Sequence, residues 1–108
     1  MDNIEQAIMN LIVNSGAAKS YAYNALSNVN EKNYSLAEEN FKQANEYLLL
    51  AHNEQTTLLT LEANGESLNV NALFVHAQDH LMNAISEITL IEQIIELRKI
   101  LNTLIEKQ

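Results

Sequence analysis

The stretch VHAQDH, at residues 75–80, places three ionisable side chains within five residues of one another. His76 and His80 are four residues apart, and Asp79 is three residues after His76, so on a helix all three lie toward one face. Two imidazoles at this spacing can bind a metal ion. The same residues also fit a structural arrangement, in which the histidines are hydrogen-bonded and Asp79 is solvated.

The residue that follows the first histidine argues against a hydrolytic zinc site. The zinc protease pattern requires a glutamate directly after the first histidine as general base, and this chain has Ala77 there. A non-hydrolytic metal site with His76 and His80 as ligands for zinc or nickel stays open. The spacing alone does not decide between this site and the structural arrangement.

Composition limits the classes of function. The 108 residues predict a single domain, 1–108, and a net charge of -8 argues against nucleic-acid binding, which depends on lysine and arginine. With no cysteine, the chain has neither disulfides nor thiolate nucleophiles. It also lacks a basic N-terminal segment and any apolar run of about 18 residues, so we expect a cytoplasmic protein without membrane insertion.

The elements that carry VHAQDH are predicted to be all α-helical. The chain contains no proline and two glycines, so long helices are not interrupted. Apolar residues spaced three or four apart predict helices over about 3–29, from 35 to the Asn64-Gly65 turn, and after Asn71 to about 106. The predicted N-terminal capping residues are Asp2 (with Glu5), Ser35 (with Glu38) and Asn71.

Three helices joined by short turns predict an antiparallel bundle, and the third helix has more apolar surface than such a bundle buries. The first stripe comprises Leu81, Ile88, Ile91 and Ile95. The second stripe comprises Ile94, Leu97, Leu101 and Leu104. One explanation is an unusually deep core helix. The other is self-association through the second stripe, with the symmetric closure typical of homo-oligomers.

The run VHAQDHLM resembles the active-site signature of the lactose/cellobiose-type enzyme IIA of the bacterial phosphoenolpyruvate-dependent sugar phosphotransferase system. Three further segments follow the order of that family: NSGAAKSYAYNAL (14–26), NYSLAEENFKQANEYLLLAHNEQT (33–56) and EANGE (62–66). The resemblance implies a three-helix protomer assembled as a homotrimer, which agrees with the surplus apolar surface of the third helix.

The resemblance also implies a phosphocarrier. His76 would accept a phosphoryl group from HPr as a tele-phosphohistidine and pass it to a cysteine of enzyme IIB. His80 would orient His76, and pairing the helices about Gly65 places Gln55 level with His80, where it would supply a hydrogen bond. Gln78 is expected to point away from His76, and His52 to be structural.

We expect Asp79 to lie near the threefold axis of such a trimer. Three converging carboxylates would recruit a hard divalent cation such as Mg²⁺, one per trimer; the alternative is a solvated Asp79 at a helix surface. Gly16 is expected to let two helices approach closely.

Two positions bear on the branch of the family. Asn83 stands where many relatives have threonine, and Ala77 favours the cellobiose and chitobiose branch over the lactose branch. The sugar itself is not assigned, because the membrane component selects it. Rival functions are a non-catalytic helical interaction module and the metal-binding protein with His76 and His80 as ligands.

Overall fold

A computed structural model describes residues 3–65 and 72–107 and shows three helices. They are α1, Asn3–Asn30, α2, Tyr34–Ala63, and α3, Ala72–Glu106, arranged up, down and up in a rod of 62 × 20 × 18 Å. The predicted all-α class and the number of helices are therefore confirmed. The predicted capping residues Asp2 and Asn71 lie outside the described residues. None of the three described helices is apolar over a length that could span a membrane.

The turn between α1 and α2 corrects the predicted start of the second helix. The Asn33 amide donates to the Asn28 carbonyl and the Lys32 amide to the Val29 carbonyl, a Schellman closure with Lys32 at φ 64°. Because this closure is tight, α2 begins at Tyr34 and not at Ser35, and its N-cap Asn33 makes no side-chain capping bond. Ser35 lies inside the first turn, so the predicted capping box is wrong.

The core consists of two clusters along the rod, and α1 contributes to both. The cluster nearer VHAQDH comprises Ala7, Ile8, Leu11, Ala51, Leu58, Ala77 and Leu81. The other is built around Ala18, Ala22, Ala25, Val29, Ala37, Ala44, Ile88, Ile91 and Ile95. Leu48 packs against both clusters. The frequent alanines allow α1 to lie close to α2 and α3, which contact each other much less.

The two apolar stripes of α3 have different environments. Leu81, Ile88, Ile91 and Ile95 are buried in the protomer, whereas Ile94, Leu97, Leu101 and Leu104 are 46–66% exposed. A single protomer therefore buries only the first stripe. The explanation by a deep core helix is wrong, and the second stripe is left without a partner in the protomer.

Asn102 is a buried polar residue that the apolar pattern did not reveal. Its side-chain amide donates to the Val29 carbonyl and to the Tyr34 hydroxyl at 3.0 Å each, and its oxygen accepts from Arg98 Nε at 2.9 Å. One side chain on α3 thus holds both sides of the α1–α2 turn. A polar residue at this position is satisfied by these three partners and fixes the end of the bundle away from VHAQDH.

Candidate functional site

His76 and His80 lie in the first three turns of α3, on adjacent turns, as their spacing predicts. Their rings are edge to face, with centroids 5.5 Å apart and an interplanar angle of 84°. His76 is exposed and His80 is half-buried, while Ala77 between them is fully buried and anchors this part of α3 in the core. The exposed ring of His76 is therefore accessible to another protein, and the ring of His80 is positioned beside it.

His80 faces α1. A methyl group built on Gly16 would lie 3.7 Å from His80 Cε1, an ordinary van der Waals contact. The space would therefore hold an alanine, so a close approach that requires glycine, as predicted at Gly16, is not found here. Contact with α1 limits the movement of the His80 ring, which supports its predicted role in orienting His76.

Gln55 of α2 lies close to the predicted level along α3, but its hydrogen-bond partner differs from the predicted one. Its side-chain nitrogen donates to the Gln78 oxygen at 2.7 Å, so the amide pairs with Gln78 and not with His80. The axial register was predicted to within two residues. The error lies in the face of the helix, because Gln78 is on the side of α3 that meets α2, whereas His80 is on the side that meets α1.

His52, which the sequence indicated as structural, is exposed on α2. An exposed side chain adds little to packing, so burial gives no support to a structural role. Its contribution to the bundle is therefore expected to be small.

Asp79 is also exposed, on the side of α3 opposite the buried stripe. Asp79 and Leu97 are separated by five helical turns and so project in the same direction. Among residues 3–65 and 72–107, no group of three histidine, cysteine or acidic side chains could hold a metal ion. One protomer supplies a single carboxylate, so a metal site at Asp79 would require several chains.

A polar cluster next to His80 was missed by the sequence analysis. Glu87 accepts a hydrogen bond from the Tyr23 hydroxyl at 2.8 Å and forms an ion pair with Lys19 Nζ at 3.3 Å. The bond from Tyr23 lowers the pKa of the Glu87 carboxyl despite some desolvation, and Lys19 and His80 lower it further. The same bond raises the pKa of Tyr23. The cluster thus holds a carboxylate and an ammonium on the side of His80 away from His76.

A family described as the lactose/cellobiose-specific IIA subunit of the PTS system matches residues 6–99. The PTS galactose-specific EIIA component of Lactococcus lactis subsp. cremoris is 41% identical over 85 residues, which cover 79% of this chain and 73% of that protein.

Two solved structures have the same fold. The crystal structure of the PTS cellobiose-specific enzyme IIA from Bacillus anthracis is 41% identical, with a TM-score of 0.90 and coverage of 95% of this chain and 94% of that one. A solution structure of a IIA(Chitobiose)–HPr complex contains a chain that is 34% identical, with a TM-score of 0.82 and coverage of 94% and 99%.

Proposed function

The chain belongs to the lactose/cellobiose-specific IIA family of the sugar phosphotransferase system, and we propose that it carries a phosphoryl group on His76. HPr would donate the group, and a cysteine of enzyme IIB would accept it. The observation that carries the proposal is an exposed His76 on a rigid helix, with the His80 ring 5.5 Å away. The similar IIA chain whose structure was solved with HPr supports the choice of donor.

The proposed transfer needs no cavity for a small substrate. The Nε2 lone pair of neutral His76 attacks the phosphorus of phosphorylated HPr; a new N–P bond forms as the N–P bond to the HPr histidine breaks. In the next step, the cysteine sulfur of enzyme IIB displaces His76 from phosphorus. Both steps move the phosphoryl group without oxidation or reduction, and catalysis depends mainly on alignment. His80, held against α1, limits the orientations available to His76.

We also propose that the protomers form a homotrimer through the exposed side of α3. Along this side, residues spaced three or four apart form a continuous seam: Val75, Asp79, Met82, Ser86, Leu90, Gln93, Leu97, Leu101 and Leu104. Its large apolar members are 46–66% exposed in the protomer. Burial of this surface between chains would give the helix its second partner.

Sedimentation tests the trimer. Leu97→Lys combined with Leu101→Lys should dissociate or unfold the assembly, because it buries unpaired charge. Lysines at Asn53 and Thr57, two exposed positions of α2 with the same spacing, should leave the assembly intact. A wild-type protein that sediments as a monomer at micromolar concentration would contradict the trimer.

Asp79 is the only acidic or basic residue of the proposed seam. Three copies would bring three carboxylates together, and carboxylate oxygens are ligands that Mg²⁺ prefers. Asp79 of each chain would then hold one structural Mg²⁺ per trimer, which would offset the repulsion of like charges. The exposure of the side chain in the protomer is compatible with such a shared site.

The transported sugar is proposed only as a β-linked disaccharide, of the cellobiose or chitobiose kind or lactose. Similar proteins carry galactose, cellobiose and chitobiose in their names. A phosphocarrier that meets only HPr and enzyme IIB makes no contact with the sugar, so its residues do not select one.

Incubation with phosphoenolpyruvate, enzyme I and HPr, followed by mass spectrometry, tests the phosphocarrier function. We expect one acid-labile phosphoryl group on His76, none in the His76→Gln variant, and reduced transfer in His80→Gln. His52→Gln, at an exposed histidine of α2, is the matched control and should be phosphorylated normally. Phosphate on His80 or His52, or on no residue, would refute the assignment. A stoichiometric complex with zinc and no phosphorylation would favour the metal-binding function.

A further inference from the structure

Phosphorylation of His76 would add about two negative charges to the protein at neutral pH. The chain already has a net charge of -8, with six basic residues. A basic side chain near His76 would lower the electrostatic cost of this added charge. The positions of the lysines and arginines therefore identify which of them can act on the phosphoryl group.

Four of the six basic residues are far from His76. Lys32 pairs with Glu106, Arg98 donates to Asn102 and Lys99 pairs with Glu96, all in the part of the bundle that contains the α1–α2 turn. Arg98 is 22 residues along α3 from His76, a distance of about 33 Å. Lys107 follows these residues in the chain and lies still farther from His76.

Lys42 is on α2, 13 residues before Gln55. Because Gln55 bonds to Gln78, this separation places Lys42 about 20 Å from the level of the histidines. Only Lys19 remains near the site.

Lys19 follows Gly16 by one turn on α1, and a methyl group built on Gly16 would lie 3.7 Å from His80 Cε1, so Gly16 and His80 lie at the same level of the two helices. The Tyr23–Glu87 bond lies seven residues farther along both helices, which shows that α1 and α3 run parallel in constant register here. Lys19 is therefore about one turn from His80 and two turns, roughly 10 Å, from His76 along the axis. Helical side chains lean toward the N-terminus, and on α1 that direction leads toward the level of His76.

Lys19 forms an ion pair with Glu87 that can readily be replaced by an interaction with another anion. The Lys19 and Glu87 side chains are 37% and 34% exposed, and an ion pair at that exposure is weak and screened by salt. Glu87 has a second partner in the Tyr23 hydroxyl, which keeps the carboxylate satisfied when the ammonium leaves. A dianionic phosphoryl group is a stronger attraction for the ammonium than this carboxylate.

We propose that Lys19 offsets the charge of the phosphoryl group on His76 and that Glu87 holds Lys19 while His76 is unphosphorylated. This inference rests on the proposed phosphocarrier function. Lys19 acts through its charge, which favours the phosphorylated form, whereas Glu87 disfavours that form, both by holding Lys19 and by its own negative charge.

A structural role for the same ion pair gives a different expectation. If Lys19 and Glu87 only tie α1 to α3, removal of either side chain loosens the same contact, and both variants change phosphorylation in the same direction. If Lys19 acts by charge, the two substitutions have opposite effects. The sign of the two changes therefore separates the two roles.

The experiment measures the equilibrium between phospho-HPr and this protein, as the ratio of phosphorylated to unphosphorylated protein at a fixed phospho-HPr to HPr ratio. Lys19→Gln should lower this ratio about two- to fivefold at low ionic strength, and Glu87→Gln should raise it by up to a similar factor. Lys42→Gln and Glu92→Gln make the same changes in net charge away from His76 and should have smaller effects. High salt should reduce all the differences.

Lys19→Arg keeps the charge and should restore the wild-type ratio. Thermal unfolding of each variant checks that the fold is retained. A Lys19→Gln effect no larger than that of Lys42→Gln, or changes in the same direction for Lys19→Gln and Glu87→Gln, would overturn the inference. Failure of the proposed function is distinct, because wild-type His76 would then remain unphosphorylated.

Discussion

Replacement of Asn102 by alanine should destabilise the end of the bundle that contains the α1–α2 turn. Alanine keeps the helix but removes both donors of the side-chain amide, so the Val29 carbonyl and the Tyr34 hydroxyl lose their bonds at 3.0 Å. The Val29 carbonyl keeps the hydrogen bond from the Lys32 amide, so each of the two lost bonds contributes about 0.5–1.5 kcal/mol. The expected loss is therefore about 1–3 kcal/mol of a total that is usually about 5–15 kcal/mol.

Urea denaturation at a fixed protein concentration measures this loss, because association would make the apparent stability depend on concentration. Thr103→Ala is the matched control. Thr103 is the next residue, is exposed and bonds to the Lys99 carbonyl of its own helix, so its loss should change stability by less than about 0.5 kcal/mol. A loss of under about 0.5 kcal/mol for Asn102→Ala would refute the view that Asn102 holds the α1–α2 turn.

The remaining predictions concern four other positions. Lys32→Gly should raise stability by up to about 1 kcal/mol in the same urea assay, because glycine adopts the φ of 64° without strain; a loss would show that the Lys32–Glu106 pair outweighs the strain. Ser15→Ala should raise it by about 1 kcal/mol, since the buried Ser15 hydroxyl lacks a hydrogen-bond partner within the described residues. Asp79→Leu should preserve or raise thermal stability and abolish any stabilisation by Mg²⁺; marked destabilisation together with no Mg²⁺ effect in the wild type would contradict the shared metal site. Tyr23→Phe should raise the pKa of Glu87 toward its ordinary value, as measured by carboxyl NMR titration, because the hydroxyl bond is the largest cause of its lowering.

The sequence predicted the helices well because apolar spacing is a local property. The end predicted for the first helix, near residue 29, agrees with Asn30 to one residue, and the two stripes predicted for α3 are present, one buried and one exposed. The start of α2 was missed because the Schellman closure depends on Lys32 in a left-handed conformation that favours glycine. Nothing in the type of that residue indicates it.

The site was predicted less completely. Counting residues from the Gly65 turn gave the level of Gln55 along α3 but not the face it meets, and the choice between Gln78 and His80 depends on where α1 packs. The cluster of Tyr23 and Lys19 with Glu87 joins residues more than 60 positions apart whose types are common on exposed helices. Only the packing of α1 beside α3 brings them next to His80.

The alanine-rich core also determines how the protomer responds to change. Nine of the seventeen buried hydrophobic residues in the described ranges are alanine, and alanine loses no rotamer freedom when it is buried. Ordering this core therefore costs little side-chain entropy, but few of its side chains can rearrange to absorb added volume. Enlargement of Ala77, directly behind His76 and His80, would consequently displace α3 as a rigid rod and carry both histidines with it.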